Sequence, residues 1–137
     1  MTRRLLVLML VLLPLLAVPT AASAVGAPER KVLDLVDASR QHHHLHAVVE
    51  RAKLMRHAER HTRVMARKRL LFHSSLSIDG YSALGECVGV GGTVHSVYKA
   101  FLRSSTHRRI ILGRWKYIGV GVVSRGGDRY VTIDFAR

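Results

Sequence analysis

Apolar positions along the chain follow different periods in successive stretches. Leu5 to Val18 is an apolar run interrupted only by Pro14, and it leads into the small residues Ala21-Ala22-Ser23-Ala24. Val32, Leu33, Leu35 and Val36 then recur with the spacing of an amphipathic helix, predicted to end near the His-rich segment 42–46. From about Arg51 to Leu71 the pattern predicts a second, stronger helix, with Leu54, Ala58, His61 and Met65 on one stripe and Met55 and Thr62 beside it. Residues 74–92 are rich in Ser and Gly and read as loop. A third helix is predicted from about Val94 to Arg103, with Val94, Val97, Tyr98 and Phe101 on its apolar face and Thr93 as N-cap. Beyond residues 104–109 the period shortens to that of strands, at 117–123 and 130–135. Gly126-Gly127-Asp128 marks a hairpin turn between them. Helices followed by a terminal hairpin predict an α+β layered domain.

The first stretch is not expected to belong to that domain. Arg3 and Arg4, the apolar run and the small residues before Val25 have the order of a secretory signal peptide, with cleavage expected after Ala24. A run of about 14 residues falls short of the roughly 20 that span a bilayer. This divides the chain into a signal at 1–24 and one domain at 25–137, with its core at about 33–135.

Composition narrows the function. The 137 residues carry 22 Lys and Arg against 9 Asp and Glu, a formal charge of +13. Loss of Arg3 and Arg4 with the signal lowers this to +11 over 113 residues. Such a charge favours an anionic partner. Export makes nucleic acid an unexpected one and leaves envelope polymers or lipid head groups. Eight basic residues, Arg51, Lys53, Arg56, Arg60, Arg63, Arg67, Lys68 and Arg69, fall in the second helix and its end, with Glu59 as the one acid among them. The single Cys87 excludes an intrachain disulfide and Cys-rich zinc sites.

Several short runs, taken in order, carry a family resemblance. They are Leu54, Ala58, His61, Met65 and Ala66 on the helix, then Phe72-His73-Ser74, Gly85-Glu86-Cys87 and 104–108 (Ser-Ser-Thr-His-Arg). Tyr117-Ile118-Gly119-Val120-Gly121 and 130–135 (Tyr-Val-Thr-Ile-Asp-Phe) complete the series. In this order and spacing the chain resembles bacterial CAP-domain (SCP/PR-1-like) proteins over about Leu33 to Phe135. Arg40 falls at the Arg that precedes the long helix in that family. The resemblance implies a three-layer α-β-α sandwich with a cleft lined by two His and two acids. His73, Glu86 and His107 match three of these. The fourth acid is missing, because Ser104 stands at its place after Phe101. Cys87 replaces the usual Asn, and Ile133 replaces a common Gln.

His73, Glu86 and His107 admit three readings. They could ligate a divalent cation such as zinc with one position open to water. They could act as base and orienting group in hydrolysis. Or they form a polar network that joins the cleft walls. Ser74, Ser104 and Ser105 lie beside these histidines without establishing a Ser-His-Asp order. Outside the cleft, His42 and His46 are one helical turn apart but are expected in a solvated loop. His57 and His61 share that spacing, and His61 is expected as a hydrogen-bonded core histidine. Cys87 is expected to be buried.

The sequence therefore predicts a secreted, non-enzymatic binding or interaction module. Its cleft would take a divalent cation or small ligand, and its basic face would meet anionic envelope surfaces. A metal-dependent extracellular hydrolase and a cationic membrane-active protein are the alternatives.

Overall fold

A computed structural model describes residues 25–137, so the expected signal at 1–24 lies outside the described residues. Four helices and four strands follow in the order α1 (Ala27–His42), β1 (Val49–Glu50), α2 (Ala52–Lys68), β2 (Leu84–Gly91), α3 (Val94–Arg103), α4 (Ser105–Ile111), β3 (Tyr117–Arg125) and β4 (Asp128–Ala136). The strands form one sheet in the order β1-β3-β4-β2, antiparallel except where β1 runs beside β3. Helix α2 covers one face, and α1, α3 and α4 cover the other. This is the three-layer α-β-α sandwich.

The apolar stripe of α2 explains its position. Leu54, Ala58, Met65 and Ala66 are buried, while its eight basic neighbours between Arg51 and Arg69 are all exposed. The helix lies so close to the sheet that a Cβ on Gly119 would overlap the Leu54 carbonyl carbon. A Cβ on Gly121 would fall 2.6 Å from that of Ala58. Glycine at these two strand positions sets the helix–sheet distance. Thr62 fills the remaining gap, its Oγ1 lying 2.7 Å from both the Ala58 carbonyl and Thr132 Oγ1. His61 is buried and donates from Nε2 to the Phe72 carbonyl at 2.8 Å, which meets the expectation for it.

On the opposite face the main core combines Val32, Leu33 and Val36 of α1 with Val97, Tyr98 and Phe101 of α3 and Ile118, Val120, Val131, Ile133 and Phe135 of the hairpin. Arg40, 2% exposed, ties the layer together. Its guanidinium donates to the carbonyls of His46, Ile111 and Gly113 at 2.8–2.9 Å. Two of these carbonyls lie at the C-terminal end of α4, where the helix dipole favours a cation.

Three sequence expectations need correction. Helix α2 ends at Lys68, not Leu71, because Arg69 turns left-handed (φ 51°) and the Leu70 N–H closes back onto the Met65 carbonyl. Residues 84–91 are a strand, not loop. The sheet accepts glycine there because Val97 and Phe101 occupy the space a Cβ of Gly89 would need. Residues 105–111 form a short helix, α4, capped by Ser104, whose Oγ faces the His107 N–H. The third helix and the hairpin are where the pattern places them. Thr93 and Ser96 form a reciprocal capping box, and Gly126 and Gly127 both take positive φ in the two-residue turn.

Candidate functional site

Strand β2 supplies the centre of the site. Its alternation sends Cys87 and Gly89 toward α3 and Glu86 toward α2, where the carboxylate is 7% exposed. The loop after α2 closes over it. Glu86 Oε1 accepts from His73 Nδ1 at 2.8 Å and from the Ser74 N–H at 2.9 Å, and Oε2 accepts from Ser74 Oγ at 2.5 Å. Burial alone would raise the Glu86 pKa. The hydrogen bonds from the Ser74 side chain and backbone and from His73 outweigh it and hold the group below its ordinary value. Glu86 is therefore a carboxylate and only accepts, so Nδ1 of His73 carries the proton. In neutral His73 this leaves the Nε2 lone pair, on a side chain that is 61% exposed.

His107 reaches the same neighbourhood from α4. Its Nδ1 lies 2.9 Å from Ser104 Oγ, and its ring packs on Phe101 with centroids 5.0 Å apart. Burial, and then the charge of nearby His73, lower its pKa and favour the neutral ring. The structure thus joins His73 directly to Glu86. It holds His107 through Ser104, with no hydrogen bond to either of the other two among the described residues.

A second group sits behind Glu86, and the sequence reading did not connect its members. Asp134 on β4 stands directly opposite Glu86 and is fully buried. His57 of α2 meets it, with Nδ1 2.7 Å from Asp134 Oδ2. Burial pushes Asp134 up to about 7 against the hydrogen bond and charge of His57, and the Glu86 charge adds to the rise. The available signal was strand parity: Asp134 alternates with buried Ile133 and Phe135, on the face that α2 covers.

The remaining candidates lie apart from this centre. His42, His43, His44 and His46 are exposed at and beyond the end of α1. Cys87 is buried, as expected, and burial pushes its thiol up to about 12. Ser74 Oγ is committed to Glu86 and Ser104 Oγ to His107, while Ser105 is exposed at the first residue of α4. Lys53 donates to the Asp79 carbonyl, Arg63 pairs with Glu59, and Arg51 lies 4.3 Å from the Tyr117 ring centroid.

Comparison with known proteins agrees with this architecture. Residues 33–135 match the profile of the cysteine-rich secretory protein family, CAP. Among solved structures, an extracellular protein containing an SCP domain from Bacillus anthracis superposes with a TM-score of 0.71 at 20% identity. That match covers 80% of this chain, which spans only 40% of the Bacillus chain. An outer surface protein of Borrelia burgdorferi gives 0.72 at 13% identity, covering 79% of this chain and 90% of its own. A venom allergen-like protein of Schistosoma mansoni gives 0.72 at 11% identity, covering 82% and 89%. No curated protein matches the sequence.

Proposed function

Because the chain belongs to the CAP family, we propose that it acts outside the cell as a binding module without catalytic turnover. The observation that carries this reading is the state of the His73 imidazole. Glu86 fixes its Nδ1–H, and its Nε2 lone pair faces solvent. A carboxylate behind a histidine in this way orients the ring and raises its basicity as a ligand.

His107 supplies the second imidazole. Where Nδ1 donates to the Ser104 hydroxyl it also offers Nε2, and its lowered pKa favours the neutral ring. Two such nitrogens suit a divalent cation of the zinc type, or a small ligand with hydrogen-bond donors. Glu86, whose Oε1 takes both the His73 and the Ser74 N–H, acts here as the orienting group. Both serine hydroxyls next to the histidines have partners already, and this favours binding over nucleophilic catalysis.

Export rests on the signal-like residues 1–24. Among the described residues no helix is long and apolar enough to cross a membrane. The exposed basic residues of α2 support contact with anionic envelope polymers or lipid head groups, each worth about 1 kcal/mol near such a surface and screened by salt.

Calorimetric titration with Zn²⁺ tests the cleft, using protein whose His42, His43, His44 and His46 are replaced by Ala. His73→Ala and His107→Ala should each weaken one binding event by at least about tenfold while the fold is retained. Unchanged affinity, with effects on stability alone, would refute the reading. Turnover of an envelope polymer that chelator and His73→Ala both abolish would replace it with the hydrolase.

A further inference from the structure

Glu86 and Asp134 present an electrostatic problem that the cleft does not resolve. They are cross-strand partners, so both carboxylates project from one face of the sheet, and like charges directly opposite destabilise a ladder. Both are removed from water, at 7% and 0% exposure. Asp134 Oδ1 is buried with no hydrogen-bond partner among the described residues. An orphaned carboxylate oxygen in a folded interior marks a missing partner. Glu86 Oε1 already takes two donors, but Oε2 takes one and retains acceptor capacity. One ring nitrogen of His57 and one oxygen of each carboxylate lie within 4.8 Å of one another.

We infer that His57, Glu86 and Asp134 form an inner site for one divalent transition-metal cation, distinct from the His73–His107 pair. A dication would neutralise the two opposed carboxylates and give the buried Asp134 carboxylate the partner it lacks. One imidazole nitrogen and two carboxylate oxygens suit Zn²⁺, Mn²⁺, Fe²⁺ or Co²⁺, and the set holds no soft sulfur ligand. Metal–ligand bonds of about 2.0–2.2 Å bring ligand atoms to within roughly 3–4 Å of each other. Binding displaces the proton shared by His57 Nδ1 and Asp134 Oδ2 at 2.7 Å into solvent, and the three groups close on the ion from within 4.8 Å of one another. His57 is the ligand able to move, since its side chain is 18% exposed while that of Asp134 is fully buried. The ion enters past it, and water completes the coordination. Glu86 then serves both places, ligating inward through one oxygen while the other holds His73.

Titration with Co²⁺, read by its visible absorption and by the change in Tm, tests the inner site in the same background lacking His42, His43, His44 and His46. The His73→Ala/His107→Ala protein should still bind one Co²⁺ and gain thermal stability from it. His57→Ala and Asp134→Asn should each lose at least about tenfold in affinity. His57 is partly exposed, so His57→Ala keeps the test decisive if Asp134→Asn fails to fold. Undiminished Co²⁺ binding by folded His57→Ala would overturn the inference, as would loss of all Co²⁺ binding in the His73→Ala/His107→Ala protein. The cleft reading fails separately, by the Zn²⁺ titration of His73 and His107.

Discussion

Cys87 and Ile133 are cross-strand partners on the β2–β4 ladder, and both are completely buried. They are also the two positions at which the chain departs from the expected Asn and Gln of its family. On that resemblance, one apolar pair stands where a polar pair would be expected, on the face that packs against α3 and α4. Restoring one amide alone should strand it among apolar neighbours. Cys87→Asn and Ile133→Gln should each cost about 2–4 kcal/mol, and the double variant should recover about 0.5–3 kcal/mol of their sum. Strict additivity in chemical denaturation would contradict this pairing.

The same burial makes the thiol inert. Cys87 is 0% exposed and its pKa is raised to about 12, so at pH 8 it is protonated and inaccessible. Native protein should resist a thiol-specific reagent over hours and react within minutes once unfolded. Rapid reaction of the native thiol would show β2 to be displaced from this packing.

The pH dependence of stability should carry the mark of Asp134. Its folded-state pKa of about 7 lies above the ordinary 3.8, so the folded chain holds this proton more tightly than the unfolded one. Its contribution is complete below about pH 4 and is lost as pH rises through about 7. Glu86 works in the opposite sense. Its pKa is held below 4.5, so its contribution is present above that value and lost as pH falls further. With chelator present, the stability of wild type minus that of Asp134→Asn should decline between about pH 4 and 7. A flat difference over that range would contradict it.

Glu86→Gln removes the charge that organises the loop after α2. The amide oxygen can take at most two of the three donors the carboxylate accepted, and its NH₂ group meets Ser74 or His73 as a competing donor. A stability loss of about 2–3 kcal/mol is expected by denaturation. Zn²⁺ affinity should fall about 10–100-fold as His73 loses its orientation. Wild-type affinity in this variant would show that Glu86 does not position the ring.

Helix α2 depends on the absence of two side chains. Gly119→Ala and Gly121→Ala force a Cβ into helix backbone and should each cost at least about 1–3 kcal/mol. Gly92→Ala, with nothing within 4 Å of the added carbon, should be nearly neutral. Similar Tm values for all three would refute the close approach.

Much of the architecture was legible in the sequence, and the exceptions have physical causes. The stripe of α2 and the face of α3 each follow one period and bury one side, and the terminal hairpin was marked by its two apolar runs and glycine turn, with β4 buried on both faces. Strand β2 was hidden because its positions on the face toward α3, α4 and Trp115 carry Gly85, Cys87 and Gly89, small residues under large neighbours, so strand-like alternation is absent. Helix α4 has only seven residues, too few for a period to show. In the site, His73 and Glu86 were legible from the short runs around them. The His57–Asp134 contact joins residues 77 positions apart through the packing of α2 on β4, which local pattern does not encode.

The central claim is that His73 and His107 together present unprotonated Nε2 atoms to one ligand. The most direct measurement is ¹⁵N NMR of the histidine rings at neutral pH, recorded before and during Zn²⁺ addition. The account predicts that His73 begins with its proton on Nδ1 and that the Nε2 signals of His73 and His107 shift together in a single Zn²⁺ binding event. His73 protonated on Nε2, or Zn²⁺-induced shifts confined to other histidines, would contradict it.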